Sequence, residues 1–342
     1  MRYIGSKNLL LSDISNMITE NTNKDVFIFC DIFSGTGTVA RFFKDRYSII
    51  SNDALSFSHT LQHATIENNL NPTFKKLKAK GILDPLKFLN NTEPKIDRNT
   101  AFIYQNYSPD GKDGRMYFTP ENALRIDFIR QTISKWSNDK LINKDEFYYL
   151  LALLIEAVPF VSNITGTYGA YLKHWDNRAH KKLTLEYINV TDNGLKNYSY
   201  NRDANELIRE ISGDVLYIDP PYNTRQYLPN YHVLETIARY DYPEIYGVTG
   251  MRPYKDEKSA YCSKMSVQDI FRDLVENAKF KYVVVSYSSQ GIMTKEQIKK
   301  IMTDNGIEST YKFKSISYRK YKSKVVKDSD VQEYLFFIQK KI

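Results

Sequence analysis

Four consecutive residues, Asp219-Pro220-Pro221-Tyr222, place a carboxylate, the carbonyl of a residue that has no N–H, and an aromatic ring within one short turn. Two prolines in succession stiffen the backbone there, and the second biases the first towards an extended conformation. Such a corner can hold a planar amine: the carboxylate of Asp219 and the Pro220 carbonyl accept its two hydrogens, and the Tyr222 ring stacks on the attached heterocycle. A strand end closed by a proline turn would use the same four residues, so the rest of the chain has to decide between the two readings.

A second group of residues supplies the context. Gly35 and Gly37, followed by Ala40, form a Gly-x-Gly-x-x-Ala turn, with Asp31 just before it and Asp53 some way beyond. This satisfies the loose dinucleotide pattern, in which glycines admit close backbone approach and a carboxylate ending the second strand binds ribose hydroxyls. Several adenosine-containing cofactors suit that geometry. Asp31 narrows them, because a pyrophosphate disfavours a carboxylate at its binding loop, whereas a sulfonium and an ammonium tolerate one.

These residues need strands and turns to hold them. Val26–Cys30 reads as a buried strand, Phe33–Gly37 as a glycine turn, and Thr38–Tyr47 as a helix with Val39, Phe42 and Phe43 on one side. Ser48–Ser51 is the next strand and Ser58–Asn69 the next helix, a β-α-β-α start that implies a parallel sheet. From about 72 to 197 the chain reads mainly helical, with Glu121–Trp136 and Asp145–Ile155 the clearest helices. Alternation resumes with a strand at Tyr198–Tyr200, a helix at Ala204–Ile211, and the strand Val215–Ile218 that delivers Asp219. A helix at Tyr231–Asp241, a strand at Tyr282–Ser286, a helix at Lys295–Asn305 and strands near Glu308–Phe313 and Glu333–Ile338 complete the pattern. The expected architecture is α/β. Residues 1–71 and 198–342 build a mostly parallel sheet with an antiparallel terminal strand, and 72–197 form a helical insert.

Composition sets the outer bounds. A chain of 342 residues with 42% hydrophobic content can bury a sizeable core and carry a second domain. Two cysteines, Cys30 and Cys262, give no disulfide framework and suggest a reducing compartment. The start Met1-Arg2-Tyr3 lacks a charged-then-apolar leader, and the longest apolar stretch, Tyr148–Val161, is broken by Glu156 and Pro159. A cytoplasmic protein with no membrane association is expected. A net charge of +8 and 27 tyrosines fit a nucleic-acid partner.

In these motifs and their order the chain resembles the D12-type DNA adenine-N6 methyltransferases, which use S-adenosylmethionine. Arg2-Tyr3-Ile4-Gly5-Ser6-Lys7 is similar to the family's N-terminal cofactor motif and Asp31-Ile32-Phe33-Ser34-Gly35-Thr36-Gly37 to its glycine loop. Asn52-Asp53 resembles its ribose-binding acid, Asn201-Arg202-Asp203-Ala204 its adenine-side segment, and Asp219–Tyr222 its catalytic motif. The insert between glycine loop and catalytic motif matches the family's alpha order, in which it is the target-recognition domain. The stretches Tyr117–Asn122 and Tyr168–Leu172 resemble a subset of the family. The resemblance implies a Rossmann-like class I methyltransferase fold and a flipped adenine as methyl acceptor. It also implies double-stranded DNA as substrate and a cognate restriction endonuclease as partner. Asp219, Pro220 and Tyr222 would then be catalytic. Tyr3 and Lys7 would contact the methionine portion of the cofactor, Asp53 the ribose and Asp203 the adenine, although Asp203 also suits an N-cap for the helix from Ala204.

The segment 163–182 interleaves Tyr168, Tyr171 and Trp175 with Lys173, Arg178, Lys181 and Lys182, a mixture suited to groove or phosphate contact. A surface loop is the alternative. The polar stretch 243–264 is expected to face DNA, and the run 311–327 holds seven Lys/Arg and no acid. His59 and His63 stand four apart on a helix but have no further ligands nearby, so no metal is expected and packed or solvated histidines are. Asp110-Gly111-Lys112 reads as a turn. An RNA or protein-glutamine methyltransferase is the nearest rival. Asp rather than Asn or Ser at 219, together with the large insert, favours adenine in DNA. A dinucleotide oxidoreductase would not need the Asp219–Tyr222 corner, and a non-catalytic DNA-binding relative would not keep every catalytic position filled.

Overall fold

A computed structural model describes residues 5, 7–317 and 331–341. Tyr3, like the rest of 1–4 and Ser6, lies outside the described residues, as does the basic run beyond Ser317. Seven strands form one sheet: β1 (Ile28–Asp31), β2 (Ser48–Asn52), β3 (Tyr198–Tyr200), β4 (Ser212–Ile218), β5 (Lys279–Ser288), β6 (Lys312–Ser317) and β7 (Gln332–Gln339). Their order across the sheet is β3-β2-β1-β4-β5-β7-β6. Neighbours from β3 to β5 pair in parallel, and β7 runs antiparallel to both β5 and β6. This is the Rossmann-like class I arrangement that was expected, with its antiparallel last strand.

The central strands are buried along most of their length: Asp214 to Ile218 of β4 are all buried, as a strand covered on both faces requires. On one side Leu207, Phe271, Leu274, Ile298 and Ile301 pack with Leu216, Ile218, Val283 and Val285. Elsewhere in the sheet unit Phe29 of β1 stacks on Phe43 with ring centroids 4.4 Å apart. The helix Val267–Asn277, absent from the expectations, buries Val267, Phe271, Leu274 and Val275 at three- and four-residue spacing. The helix Leu11–Asn21 was missed as well, and it buries Ile14, Met17 and Ile18.

Several boundaries differ from expectation. The helix from Thr38 ends at Phe43 rather than Tyr47, and that from Ala204 is a single turn ending at Leu207. Residues Glu308–Thr310 form a 3-10 turn, so β6 begins only at Lys312. The helix expected over Ser58–Asn69 runs Ser56–Gln62 and continues as a π turn, His63–Glu67.

The chain divides into two compact units. Of the described residues, one unit comprises 7–54, 193–226, 256–317 and 331–341 and holds the sheet; the other comprises Gly5, 55–192 and 227–255 and is helical. Ser56–Gln62 and Leu228–Arg239, expected from the sequence to lie with the sheet, belong to the helical unit. Phe57, Leu61, Val233, Leu234 and Ile237 join its core with Ile126, Ile129, Leu150 and Leu154. Two long helices anchor this unit. Pro120–Asn138 is capped by the Thr119 hydroxyl, which accepts from the Asn122 amide, and Lys144–Ala157 opens on a capping box formed by Asn143 and Glu146.

Candidate active site

The glycine turn is shaped from several sides. Gly35 and Gly37 have φ of 52° and 77°, left-handed values that disfavour a Cβ. The Gly37 amide donates to the Ser34 carbonyl at 2.8 Å, and the Ser34 hydroxyl donates to the Asp31 carbonyl at 2.6 Å. The Gly35 amide donates to Asp53 Oδ2 at 2.9 Å, so the carboxylate expected to bind ribose also braces the turn. Asn52 is buried and clamps this region: its amide nitrogen donates to the Ile32 and Arg202 carbonyls at 3.1 Å each, and its side-chain oxygen accepts from the Arg202 amide. Asp203 Oδ1 accepts from the Asn205 and Glu206 amides at 2.9 and 3.1 Å, giving it the N-cap place that was its alternative reading.

Asp31 ends β1 fully buried, and its Oδ1 has no hydrogen-bond partner among the described residues. Burial, and secondarily the charge of Asp219, push its carboxyl up to about 8. An isolated acid in that position is costly unless something cationic meets it.

Asp219 ends β4. Lys7 Nζ lies 3.0 Å from Asp219 Oδ1 and 3.2 Å from Glu333 Oε1, with 6, 16 and 7% of the three side chains exposed. Burial raises Asp219 to about 6, with Lys7 pulling it down and Glu333 pushing it up. Burial alone would lower the Lys7 ammonium, but the Asp219 and Glu333 carboxylates outweigh it and hold the group well above its ordinary value. Pro220 and Tyr222 are buried beside the carboxylate. The Tyr222 carbonyl accepts from the Ile292 amide at 2.8 Å, its ring meets Tyr287 edge-on at 6.2 Å, and Lys7 Nζ lies 5.9 Å from its centroid. Within the sheet unit the structure thus brings together Lys7, Asp219 and Tyr222, and separately Gly35, Gly37 and Asp53. Asp31 is coupled by its charge to both Asp219 and Asp53.

Two residues in this unit were not foreseen from the sequence. Glu333 stands on β7 as an acid ahead of an otherwise apolar run, and that interruption was the available signal. Tyr261, counted in the stretch expected to face DNA, packs edge-on to Phe33 at 5.0 Å and donates to Asn205 Oδ1 at 2.7 Å. The remainder of that stretch, up to Lys255, belongs to the helical unit. There Arg115 donates to the Gly247 carbonyl and Tyr107 to that of Gly250.

Among the residues expected to meet DNA, Lys173, Lys181 and Lys182 are exposed and Tyr171 is half-buried, edge-on to Tyr117. Arg178 is half-buried, pairs with Asp176 and donates to the Ile164 carbonyl. Tyr168 departs from its expected place. It is buried, its hydroxyl bonds Ser162, and its carbonyl accepts from Tyr117 and His232, so the ring is a core element and no exposed contact. His59 and His63 are packed, with His63 between Glu67 and Asp145 at 3.0 Å from each. Among the described residues no cluster of His, Cys, Asp and Glu is suited to a metal, and no helix is long and apolar enough to cross a membrane.

The family profile of D12 class N6 adenine-specific DNA methyltransferases matches residues 3–301. The chain is 54% identical to the type II methyltransferase M.FokI of Planomicrobium okeanokoites, covering all of this chain and 53% of that protein. It is 43% identical to the modification methylase StsI of Streptococcus sanguinis, again over all of this chain and 52% of the relative. It therefore spans about half the length of these two curated relatives. With the type II methyltransferase M.NlaIII of Neisseria lactamica it shares 38% identity across 99% of both chains. On the glycine turn, the Asp219–Tyr222 corner and this match over most of its length, the chain belongs to the D12 class of N6 adenine-specific DNA methyltransferases.

Proposed function

We propose that the protein transfers a methyl group from S-adenosylmethionine to the N6 amine of an adenine flipped out of duplex DNA. The observation that carries this reading is the pairing of two features in the sheet unit: a mostly buried acid–proline–aromatic corner ending β4, and a buried Asp31, one oxygen of which has no partner among the described residues, ending β1 beside a left-handed glycine turn.

The residues present fit the cofactor. Asp31 Oδ1 supplies a buried carboxyl oxygen that an ammonium would draw into its ionised form, Asp53 a carboxylate for ribose hydroxyls, Asp203 a carboxylate for the adenine amine, and Lys7 a cation for the methionine portion. Tyr3 joins them by its place in the N-terminal motif. When bound, S-adenosylmethionine supplies an electrophilic methyl on a sulfonium. The chain's own task is alignment, since displacement at a methyl needs geometry more than strong acid–base catalysis. Asp219 is ionised above a pH of about 6, so at neutral pH it accepts one hydrogen of the amine while the Pro220 carbonyl accepts the other. The nitrogen lone pair, otherwise delocalised into the ring, is thereby freed to point at the methyl. Tyr222 stacks on the extruded base, which cannot be reached inside the duplex.

Lys173, Arg178, Lys181, Lys182 and Tyr171 are proposed to contact the DNA, with Tyr168 supporting them from the core. The name modification methylase that StsI carries supports a role in a restriction-modification system, and a cognate endonuclease as partner and the cytoplasm as the site of action are proposed with it. Incubating the protein with methyl-labelled cofactor and, separately, DNA, RNA and protein tests the substrate class. Label should enter adenine N6 of DNA, and Asp219→Ala should abolish transfer while leaving cofactor binding largely intact. Label in RNA or glutamine instead, or near-normal turnover by Asp219→Ala, would reject the reading.

A further inference from the structure

Lys7 presents a difficulty for the reaction just proposed. Its ammonium touches the same Asp219 carboxylate that the target amine must use, at 3.0 Å from Oδ1. A charge-assisted bond to an ammonium is stronger than one to a neutral amine, so Lys7 competes with the substrate. Nor can Lys7 simply let go, because a buried ammonium deprived of its counter-charge is strongly destabilising. The second contact of Lys7, 3.2 Å to Glu333 Oε1, resolves the conflict.

We infer that Glu333 is a positioning residue for methyl transfer: it keeps the Lys7 ammonium when the target amine takes Lys7's place on Asp219. This rests on the function proposed above. Glu333 lies beyond the stretch that the family profile matches, residues 3–301, so family membership assigns it no role.

The placement suits that task. Glu333 is held by strands rather than by a loop. In the β5–β7 register it stands opposite Ser288, two residues from Ser286, and so shares a face with Ser286. The Ser286 hydroxyl donates to Glu333 Oε1 at 2.8 Å, fixing the carboxylate that also holds Lys7. The exchange therefore removes one of two anionic contacts from Lys7 and leaves the other in a fixed geometry. Electrostatics point the same way. The groups acting on Asp219 are Lys7, Asp31 of β1, Tyr217 of β4 and Glu333 of β7. Of these, Lys7 favours its ionised form and Glu333 opposes it.

Glu333→Gln keeps the shape and an oxygen for Ser286 but removes the charge that holds Lys7. The test measures kcat/KM for methyl transfer to duplex DNA across pH 5–8.5, alongside a carboxyl carbon NMR titration of Asp219 in the free protein, assigned with Asp219→Asn. Lys7 then pairs with Asp219 alone. The rate at neutral pH should fall roughly tenfold or more, the scale of one charge-assisted hydrogen bond. Both the acid limb and the Asp219 titration should move to lower pH. A lower rate with both pH markers unmoved would make Glu333 a packing residue and overturn the inference, as would an unchanged rate. If the wild type methylates no adenine, the functional reading fails on its own, and the carbon titration still decides whether Glu333 governs Asp219. Should Glu333→Gln fold poorly, Ser286→Ala gives the opposite sign. A Glu333 carboxylate with one hydrogen bond fewer grips Lys7 harder, and Asp219 should titrate higher; a downward or absent shift would overturn the inference.

Discussion

At the scale of residues, the behaviour of this site turns on three mostly buried carboxylates and one ammonium. Asp219 is raised to about 6 because burial disfavours its charge more than Lys7 restores it. In the proposed reaction its proton must be gone before it accepts the amine, so kcat/KM should fall as pH drops through about 6, and an acid limb near 4 would place a different group in control. The stacking role proposed for Tyr222 is one that its ring alone can fill. Stacking on a base is worth about 1–3 kcal/mol by alanine substitution. Tyr222→Phe should thus keep most activity, while Tyr222→Ala should lose between about five- and 150-fold. The ring also packs edge-on against Tyr287, so the phenylalanine variant is the cleaner measurement. Equal damage from both would mean that the hydroxyl matters and that stacking is the wrong assignment.

At the scale of elements, the two binding tasks proposed here fall to the glycine turn and the 163–182 segment. Gly37 has φ of 77° at the N-terminus of the helix Thr38–Phe43, and a left-handed conformation costs an L-residue about 1–2 kcal/mol. Gly37→Ala should lower stability to urea by about that amount and weaken cofactor binding measured by calorimetry. A variant as stable as the wild type would show that the turn can relax. In the 163–182 segment, Tyr168 is buried and anchored, whereas Lys173, Lys181 and Lys182 are exposed on the same stretch. A buried tyrosine brace with lysines beyond it makes a supported surface and not a loose loop. Replacing Lys173, Arg178, Lys181 and Lys182 with alanine should lower DNA affinity, with the salt slope falling by about one for each phosphate that is no longer neutralised. An unchanged slope would return the segment to a solvated surface.

At the scale of the whole molecule, the site makes folding depend on pH. Asp31 titrates near 8 when folded and near 3.8 when unfolded. Between these values the unfolded chain gives up a proton that the folded one keeps, so the folded form loses stability as pH rises through the window, by up to about 1.4 kcal/mol per pH unit. The cost is complete above about 8 and absent below about 4. Asp31→Asn should flatten this dependence in denaturant titrations between pH 5.5 and 8.5. In the wild type, S-adenosylmethionine should stabilise more at pH 8 than its affinity for the variant predicts. Parallel slopes for the two proteins would mean that Asp31 is solvated after all.

What the sequence determined by itself was local. Strand β4 and its Asp-Pro-Pro-Tyr ending, the glycine turn after β1, and the helix Lys295–Asn305 were all legible, because each is written in contiguous residues with a strong period or turn chemistry. The helices Leu11–Asn21 and Val267–Asn277 carried a readable three- and four-residue apolar spacing that the expectations did not use, whereas the single turn after Asp203 is too short to show a period. The tertiary structure alone decided that Glu333, 114 positions after Asp219, shares Lys7 with it, since β7 turns back beside β5 and pairing across a sheet leaves no mark in sequence spacing. It also decided that Tyr168, on a stretch rich in cations and glycines, is core. A tyrosine on a stretch with several cations reads as exposed until Ser162 is seen to bond its hydroxyl, and Tyr117 and His232 its carbonyl.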